Sequence, residues 1–251
     1  MCVDVGGHEM LLDAGDSLGL KDGGLYEPLL TEFFQRFIQQ GNTVLDLGAN
    51  IGYHTLKFAR LVDTDGRVFA FEPEPGCFSI LKGNVERNGY RNIVLEQQAV
   101  SDTTGVECLY LDNTGNNGAH SLLAIPGASS VIVDTVRLDD YFAGYDGVID
   151  FIKMDIEGTE PRALAGMSNI INGNPNLKLV VEVNLRDLDF CNMSLAAYVE
   201  LFSDNGFALH YINDREGIIE PLDMNKLVSY FNTGGCVTNL LCVKGSEFQW
   251  V

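Results

Sequence analysis

Residues 43–52 read Thr-Val-Leu-Asp-Leu-Gly-Ala-Asn-Ile-Gly, and a second run, Gly-Arg-Val-Phe-Ala-Phe-Glu, occupies 66–72. The apolar positions around Asp46 predict a buried strand. Gly48 and Gly52 then permit a tight turn and a close approach of backbone to a ligand. The second apolar run ends in the carboxylate of Glu72. An acid at the tip of a second strand can accept hydrogen bonds from both hydroxyls of a ribose. Together the two stretches describe a pocket for an adenosine-containing cofactor.

The turn selects among such cofactors. A dinucleotide turn reads Gly-x-Gly-x-x-Gly, with a helix N-terminus facing a pyrophosphate. Here the turn is Asp-Leu-Gly-Ala-Asn-Ile-Gly over 46–52. Asp46 would repel a pyrophosphate and attract the ammonium of a methionine moiety. That favours S-adenosylmethionine over NAD, and leaves an NAD-dependent oxidoreductase as a less favoured alternative.

The chain has 251 residues, with 16 Lys plus Arg against 35 Asp plus Glu and a formal net charge of −19. Such acidity argues against a nucleic-acid partner, because a polyanion meets net repulsion and no basic cluster offers an exception. The six cysteines include no Cys-x-x-Cys pair, so no zinc site is expected. No apolar run approaches the ~18 residues of a membrane span. The first twenty residues are acidic and Gly-rich, unlike a signal peptide. A soluble, reduced, cytoplasmic protein is expected.

The pattern along the chain predicts one domain over 1–251. Residues 1–42 form an N-terminal hairpin and helix, the helix at 25–40 from apolar positions 29, 30, 33, 34, 37 and 38. From 43 onward strands alternate with helices. Strands are expected at 43–47, 67–72, 92–99, 148–154, 177–183, 207–212 and 236–243. Helices are expected at 52–62, 76–88, 159–172 and 194–205. This order predicts an α/β, doubly wound, mostly parallel seven-stranded sheet, with a small inserted hairpin and loop at about 105–137. The Gly- and Asn-rich stretch 112–130 is long enough for a functional loop. The apolar tail 247–251 reads as an interface strand or a core-packing end.

At this level the chain resembles the FkbM-type S-adenosylmethionine-dependent methyltransferases. The matching segments are Gly24-Leu25-Tyr26-Glu27-Pro28, VLDLGANIGYHTLKFA (44–59) and GRVFAFEPEP (66–75). Asn84, Asn88-Gly89 and AVSD (99–102) follow, then VDTVRLDDY (133–141) and FIKMDIEGTEPRALAGM (151–167). The resemblance covers about 24–185. It implies a class I (Rossmann-like) methyltransferase fold, S-adenosylmethionine as donor, and an oxygen nucleophile on a small-molecule or glycan acceptor. His54 stands where an aromatic residue is common, and Gly118–Leu122 only loosely matches the family's Ser-Leu segment. Both departures bear on the acceptor and leave the donor site untouched.

The candidate donor residues are Asp46, Gly48, Asn50 and Gly52 at the methionine turn, and Glu72 at the ribose. The resemblance adds Val100, Ser101 and Asp102 at the adenine, with Tyr26 and Glu27 as a roof; Glu27-Pro28 also reads as a helix start. Asp155 and Glu157, on the loop after the fourth core strand, are the candidate catalytic pair. A carboxylate there can orient an acceptor hydroxyl and receive its proton. The alternative is that the pair caps the next helix. His120 and, more weakly, His54 are candidate bases. With Glu182 the two acids present an oxygen-ligand set for a divalent cation, which is not favoured, and no metal ligand is assigned. Lys153 shares a strand face with Asp155, so pairing with an acid is expected. A non-catalytic S-adenosylmethionine-binding module is the other alternative, ahead of the oxidoreductase.

Overall fold

The computed structural model describes residues 1–21, 25–112 and 118–245 of the protein. Gly24, part of the 112–130 loop and the 247–251 tail fall outside them.

The Gly-rich opening forms an antiparallel hairpin of β1 (Cys2–Val5) and β2 (His8–Leu11). Helix α1 (Pro28–Phe37) is shorter than its apolar spacing predicts, because Ile38 already adopts an extended conformation. Pro28 suits its first turn, where no backbone N–H is needed. The motif builds β3 (Thr43–Leu47), α2 (Tyr53–Val62) and β4 (Arg67–Phe71). Glu74 then caps α3 (Pro75–Asn88) by accepting from the Cys77 amide, and Gly89 ends it in the left-handed region.

The expected strand 92–99 is two strands. β5 (Ile93–Glu96) pairs with β4. The chain then leaves the main sheet, and β6 (Ala99–Ser101) pairs in parallel with β8 (Ser130–Arg137), which pairs antiparallel with β7 (Gly105–Tyr110). The inserted hairpin is therefore part of a separate three-stranded sheet.

After α4 (Leu138–Tyr141) and β9 (Phe151–Met154), the expected helix 159–172 is broken into α5 (Glu160–Ala165) and α6 (Ser168–Gly173). Gly166 lies so close to the Ser101 backbone that a Cβ would overlap its carbonyl. Buried Asp139 caps the second piece, accepting from the Asn169 and Ile170 amides at 2.9 and 3.2 Å. Tertiary contacts thus interrupt a sequence whose periodicity continues. The chain closes with β10 (Lys178–Asn184), α7 (Leu185–Phe190), α8 (Leu195–Asp204), β11 (Ala208–Asn213), β12 (Ile218–Pro221), α9 (Met224–Asn232) and β13 (Val237–Val243). The short β12, not expected from the sequence, extends the seven expected strands to eight.

The main sheet has the order β12-β11-β13-β10-β9-β3-β4-β5, parallel from β10 to β5 and antiparallel beyond. Strand order reverses at β3, flanked by β4 and β9, and ligands in such sheets bind beyond the strand C-termini at this point. Alternation along β3 sends Leu45 and Leu47 into the core on one face and Val44 into the Phe33–Phe34–Phe58 cluster on the other. Asp46 shares Val44's face, which aims its carboxylate at α2. Among the described residues no helix is long and apolar enough to cross a membrane.

Candidate functional site

A cavity of about 350 Å³ opens beyond the C-termini of β3, β4, β9 and β10. Asp46, Gly48, Asn50, Glu72, Val100 and Tyr26 line it together with Asp155, Glu157, Glu182, Arg186 and His120. Donor and catalytic candidates expected from separate motifs are therefore brought to one enclosure.

Glu72 is held at the tip of β4 by two backbone amides. Asn50 N–H donates to its Oε2 at 2.8 Å and Glu74 N–H to its Oε1 at 2.9 Å. Burial raises its carboxyl to about 7, against the opposing pull of those donors. Asp46 is 0 % exposed and raised by burial, with Lys153, His54 and Thr55 opposing. Its Oδ2 accepts from the Thr55 hydroxyl, while its Oδ1 has no hydrogen-bond partner among the described residues. Asn50 Oδ1 is likewise buried and unpartnered. Buried polar atoms are normally satisfied, so orphaned acceptors around a cavity are consistent with a polar ligand. A strand-tip carboxylate, a left-handed glycine turn and two unsatisfied acceptors fit the ribose and amino-acid ends of S-adenosylmethionine.

Several expected donor residues stand elsewhere. Val100 lines the cavity, but Ser101 and Asp102 do not. Consecutive strand residues face opposite ways, and Ser101 turns its hydroxyl to Asp102 at 3.1 Å. Asp102 is gripped by Arg162 Nε and Nη2 at 3.0 and 2.8 Å, while the same guanidinium holds Glu107 of β7. Arg162 keeps the Asp102 carboxyl below its usual range. The Asp102 side chain thus anchors the inserted sheet on α5, and neither Ser101 nor Asp102 is among the residues that line the cavity. Gly52 lies outside the cavity lining and serves as the N-cap residue of α2. Glu27 also lies behind the lining, in the left-handed region at φ 47°, with its carboxylate shared between His54 at 2.9 Å and Asn239 at 3.1 Å. Burial works to raise its carboxyl, but His54 and its other partners outweigh it and lower it. His54 is thereby engaged with Glu27, while Tyr26 reaches the cavity and its carbonyl accepts from Tyr53.

The catalytic candidates do not cap α5. The N-cap residue of α5 is Thr159, with no side-chain cap bond, and Glu160 Oε1 braces the preceding loop by accepting from the Ile156 and Gly158 amides at 3.2 and 3.3 Å. Asp155 extends the β9 ladder, its amide donating to the Leu47 carbonyl, and its carboxylate accepts from Lys153 at 3.0 Å. Glu157 sits in the left-handed region at φ 52°, with its carbonyl bonded by Ser121 and its carboxylate paired with Arg186 at 2.9 Å. Non-glycine residues held there often mark functional sites. Burial, then Asp155 and Asp187, push Glu157 to about 9, and burial foremost raises Glu182 well above the carboxylate range. Oxygens of Asp155, Glu157 and Glu182 lie within 4.8 Å of one another.

His120 reaches the cavity, but its Nδ1 accepts from the Asp112 amide at 3.0 Å, which places the ring proton on Nε2. Burial lowers its pKa, which favours the neutral ring with its proton on Nε2. This geometry does not suit the general-base role expected for it. Lys153 is paired with acids, as strand alternation implies. Asn184 and Arg186 were missed by the sequence reading; their signal was their place at and just past the C-terminal end of β10, after Glu182.

The model of the Methyltransferase FkbM domain matches residues 46–209. The chain is 31% identical over 202 residues to the 31-O-demethyl-FK506 methyltransferase FkbM of Streptomyces tacrolimicus, covering 68% of this chain and 75% of that protein. It is 29% identical over 134 residues to the hexuronic acid methyltransferase AglP of Haloferax volcanii, covering 53% of each. Among solved structures, a SAM-dependent methyltransferase from Aquifex aeolicus aligns with a TM-score of 0.50 at 13% identity, covering 94% of this chain and 100% of that one. A Clostridium thermocellum protein described as an rRNA methylase aligns with a TM-score of 0.53 at 13% identity, covering 87% and 95%. The expected exclusion of nucleic acid is therefore not supported by the neighbours of this fold. The central sheet is that of the class I methyltransferases. With the glycine turn, the strand-tip acid and the matched domain, the chain belongs to the FkbM methyltransferase family and is a methyltransferase dependent on S-adenosylmethionine.

Proposed function

We propose that this methyltransferase acts on a hydroxyl oxygen of a small molecule or glycan. The observation that carries this reading is the placement of Asp155. Its carboxylate lines the same cavity as the donor turn, and its own backbone carbonyl packs against Gly48 of that turn.

S-adenosylmethionine, when bound, supplies a methyl group already activated on a sulfonium sulfur. The chain therefore has to bind the donor, orient an acceptor and take up one proton. Glu72 holds the ribose, the Gly48–Asn50 turn supports the amino-acid arm, Asp46 faces its ammonium, and Val100 covers the adenine. Asp155 holds the acceptor hydroxyl and receives its proton at a carboxylate oxygen. Glu157 and Glu182, whose pKa values are raised, donate or accept bonds to neighbouring hydroxyls. His120 donates from Nε2. No divalent cation is assigned to the three acids.

The 31-O-demethyl-FK506 acceptor named for one relative supports this reading, while the hexuronic acid named for the other offers both hydroxyl and carboxylate oxygens. The test is transfer of labelled methyl from S-adenosylmethionine to two matched panels, neutral glycosides and polyols in one, uronic acids in the other. Ether formation in the first panel supports hydroxyl transfer. Label confined to base-labile methyl esters in the second would replace it with carboxyl methylation. Retained binding of S-adenosylhomocysteine with no transfer to either panel would favour the non-catalytic reading.

A further inference from the structure

The reading above gives no role to the buried cation Lys153. Lys153 is 4 % exposed in the middle of the sheet, on β9 between β3 and β10. A lysine in such a position is costly unless its charge is met by fixed partners. Its Nζ lies 3.0 Å from Asp155 Oδ2 and 4.0 Å from Asp46 Oδ1. Register explains the arrangement: Asp46 of β3 pairs directly with Lys153 of β9, so both side chains leave the same face of adjacent parallel strands.

Asp46 is the more dependent partner. It is fully buried, one oxygen is bonded to Thr55, and the other has no hydrogen-bond partner among the described residues. The cation paired with it is Lys153. Asp155 is already within hydrogen-bond reach of the same ammonium and lines the cavity. His54 and Glu27 complete the charged surroundings, but their hydrogen bond is made to each other.

We infer that Lys153 is a positioning residue of the donor site, which holds Asp46 as the partner of the donor's ammonium while its other side orients Asp155. One buried ammonium thereby ties the donor carboxylate to the acceptor carboxylate. The inference rests on the reading of Asp46 as the ammonium contact.

Two probes separate the roles without an acceptor. S-adenosylhomocysteine carries the amino-acid arm, and 5′-methylthioadenosine keeps the adenosine and thioether but lacks it. Titration calorimetry is run with the wild type, Lys153→Met, Lys153→Arg, Asp46→Asn and the double variant Asp46→Asn/Lys153→Met. Lys153→Met is expected to weaken S-adenosylhomocysteine by about tenfold or more and to leave methylthioadenosine within about twofold. Lys153→Arg, which keeps the charge, is expected to recover most of that loss. In the Asp46→Asn background the lysine substitution should change neither affinity by more than about twofold.

An equal weakening of both probes by Lys153→Met, or an undiminished loss in the Asp46→Asn background, overturns the assignment. The second of these would mean that Lys153 meets the ligand directly. If Lys153→Met does not fold, the double variant decides, because a neutral amide in place of the Asp46 carboxylate needs no counter-ion; affinity matching Asp46→Asn supports the inference and a further loss overturns it. A wild type that binds both probes alike overturns the donor reading of Asp46 and the Lys153 assignment with it. A wild type that prefers the homocysteine, with that preference kept in Lys153→Met, overturns the Lys153 assignment alone.

Discussion

Gly48 packs against Asp155 so closely that a Cβ on the glycine would overlap the aspartate's carbonyl oxygen. The glycine turn after β3 and the loop after β9 are therefore one mechanical unit, although 46–52 and 155–158 are far apart in the chain. Gly48 also adopts φ 81°, which L side chains rarely occupy. Gly48→Ala should lower stability by roughly 2–4 kcal/mol, from backbone strain plus overlap. Thermal unfolding and S-adenosylhomocysteine titration on the same sample check this. A variant of wild-type stability and affinity would show that the two loops are free to separate.

Glu72→Ala should weaken S-adenosylhomocysteine binding by about 1–3 kcal/mol, because both ribose hydroxyls lose an acceptor and two backbone amides lose theirs. Calorimetry measures it directly. Unchanged affinity would take Glu72 out of the donor site.

Asp155→Asn should bind S-adenosylhomocysteine within about threefold of wild type and lose roughly 100-fold or more in turnover with any acceptor the panels identify. An equal loss of both would make Asp155 a support of the donor site rather than the proton acceptor.

Asp102→Ala separates the sequence expectation from the observed geometry. The Asp102–Arg162 pair is partly exposed, so its loss should cost about 1 kcal/mol or less, and donor affinity should not change. A clear fall in S-adenosylhomocysteine affinity would restore Asp102 to the adenine site.

The buried acids make stability depend on pH. Burial raises Glu72 to about 7, Glu160 to about 8 and Glu157 to about 9, each from an ordinary value of 4.5. A carboxyl whose pKa is higher in the folded state binds its proton more tightly there. Its contribution is fully present below its unfolded pKa and is lost as pH rises through the folded value. The ligand-free protein should therefore lose stability between about pH 5 and pH 9. Glu160→Gln, which keeps an oxygen acceptor for the Ile156 and Gly158 amides, should flatten that fall. Melting temperature measured against pH tests this, and a wild-type curve that is level or rises across the window would contradict it.

The alternation of strands and helices from 43 onward, and the meeting of Asp46, Gly48, Asn50 and Glu72 at one cavity, were legible in the sequence. They depend on local hydrophobic period, on turn glycines and on an acid at a strand tip, all of which short segments express. The resemblance to FkbM methyltransferases extended that reading to Asp155 and Glu157. Tertiary structure alone decided the rest. Gly166 against Ser101 and the cap from Asp139 broke a helix whose periodicity ran on. Arg162 claimed Asp102, the Asp112 amide set the ring of His120 as a donor, and register placed Lys153 between Asp46 and Asp155. Each of these outcomes depends on partners brought together across the fold, and a side chain's charge or proton is assigned by the neighbours it meets there. Local sequence carries periodicity; it does not carry the distances through which charges and close packing act.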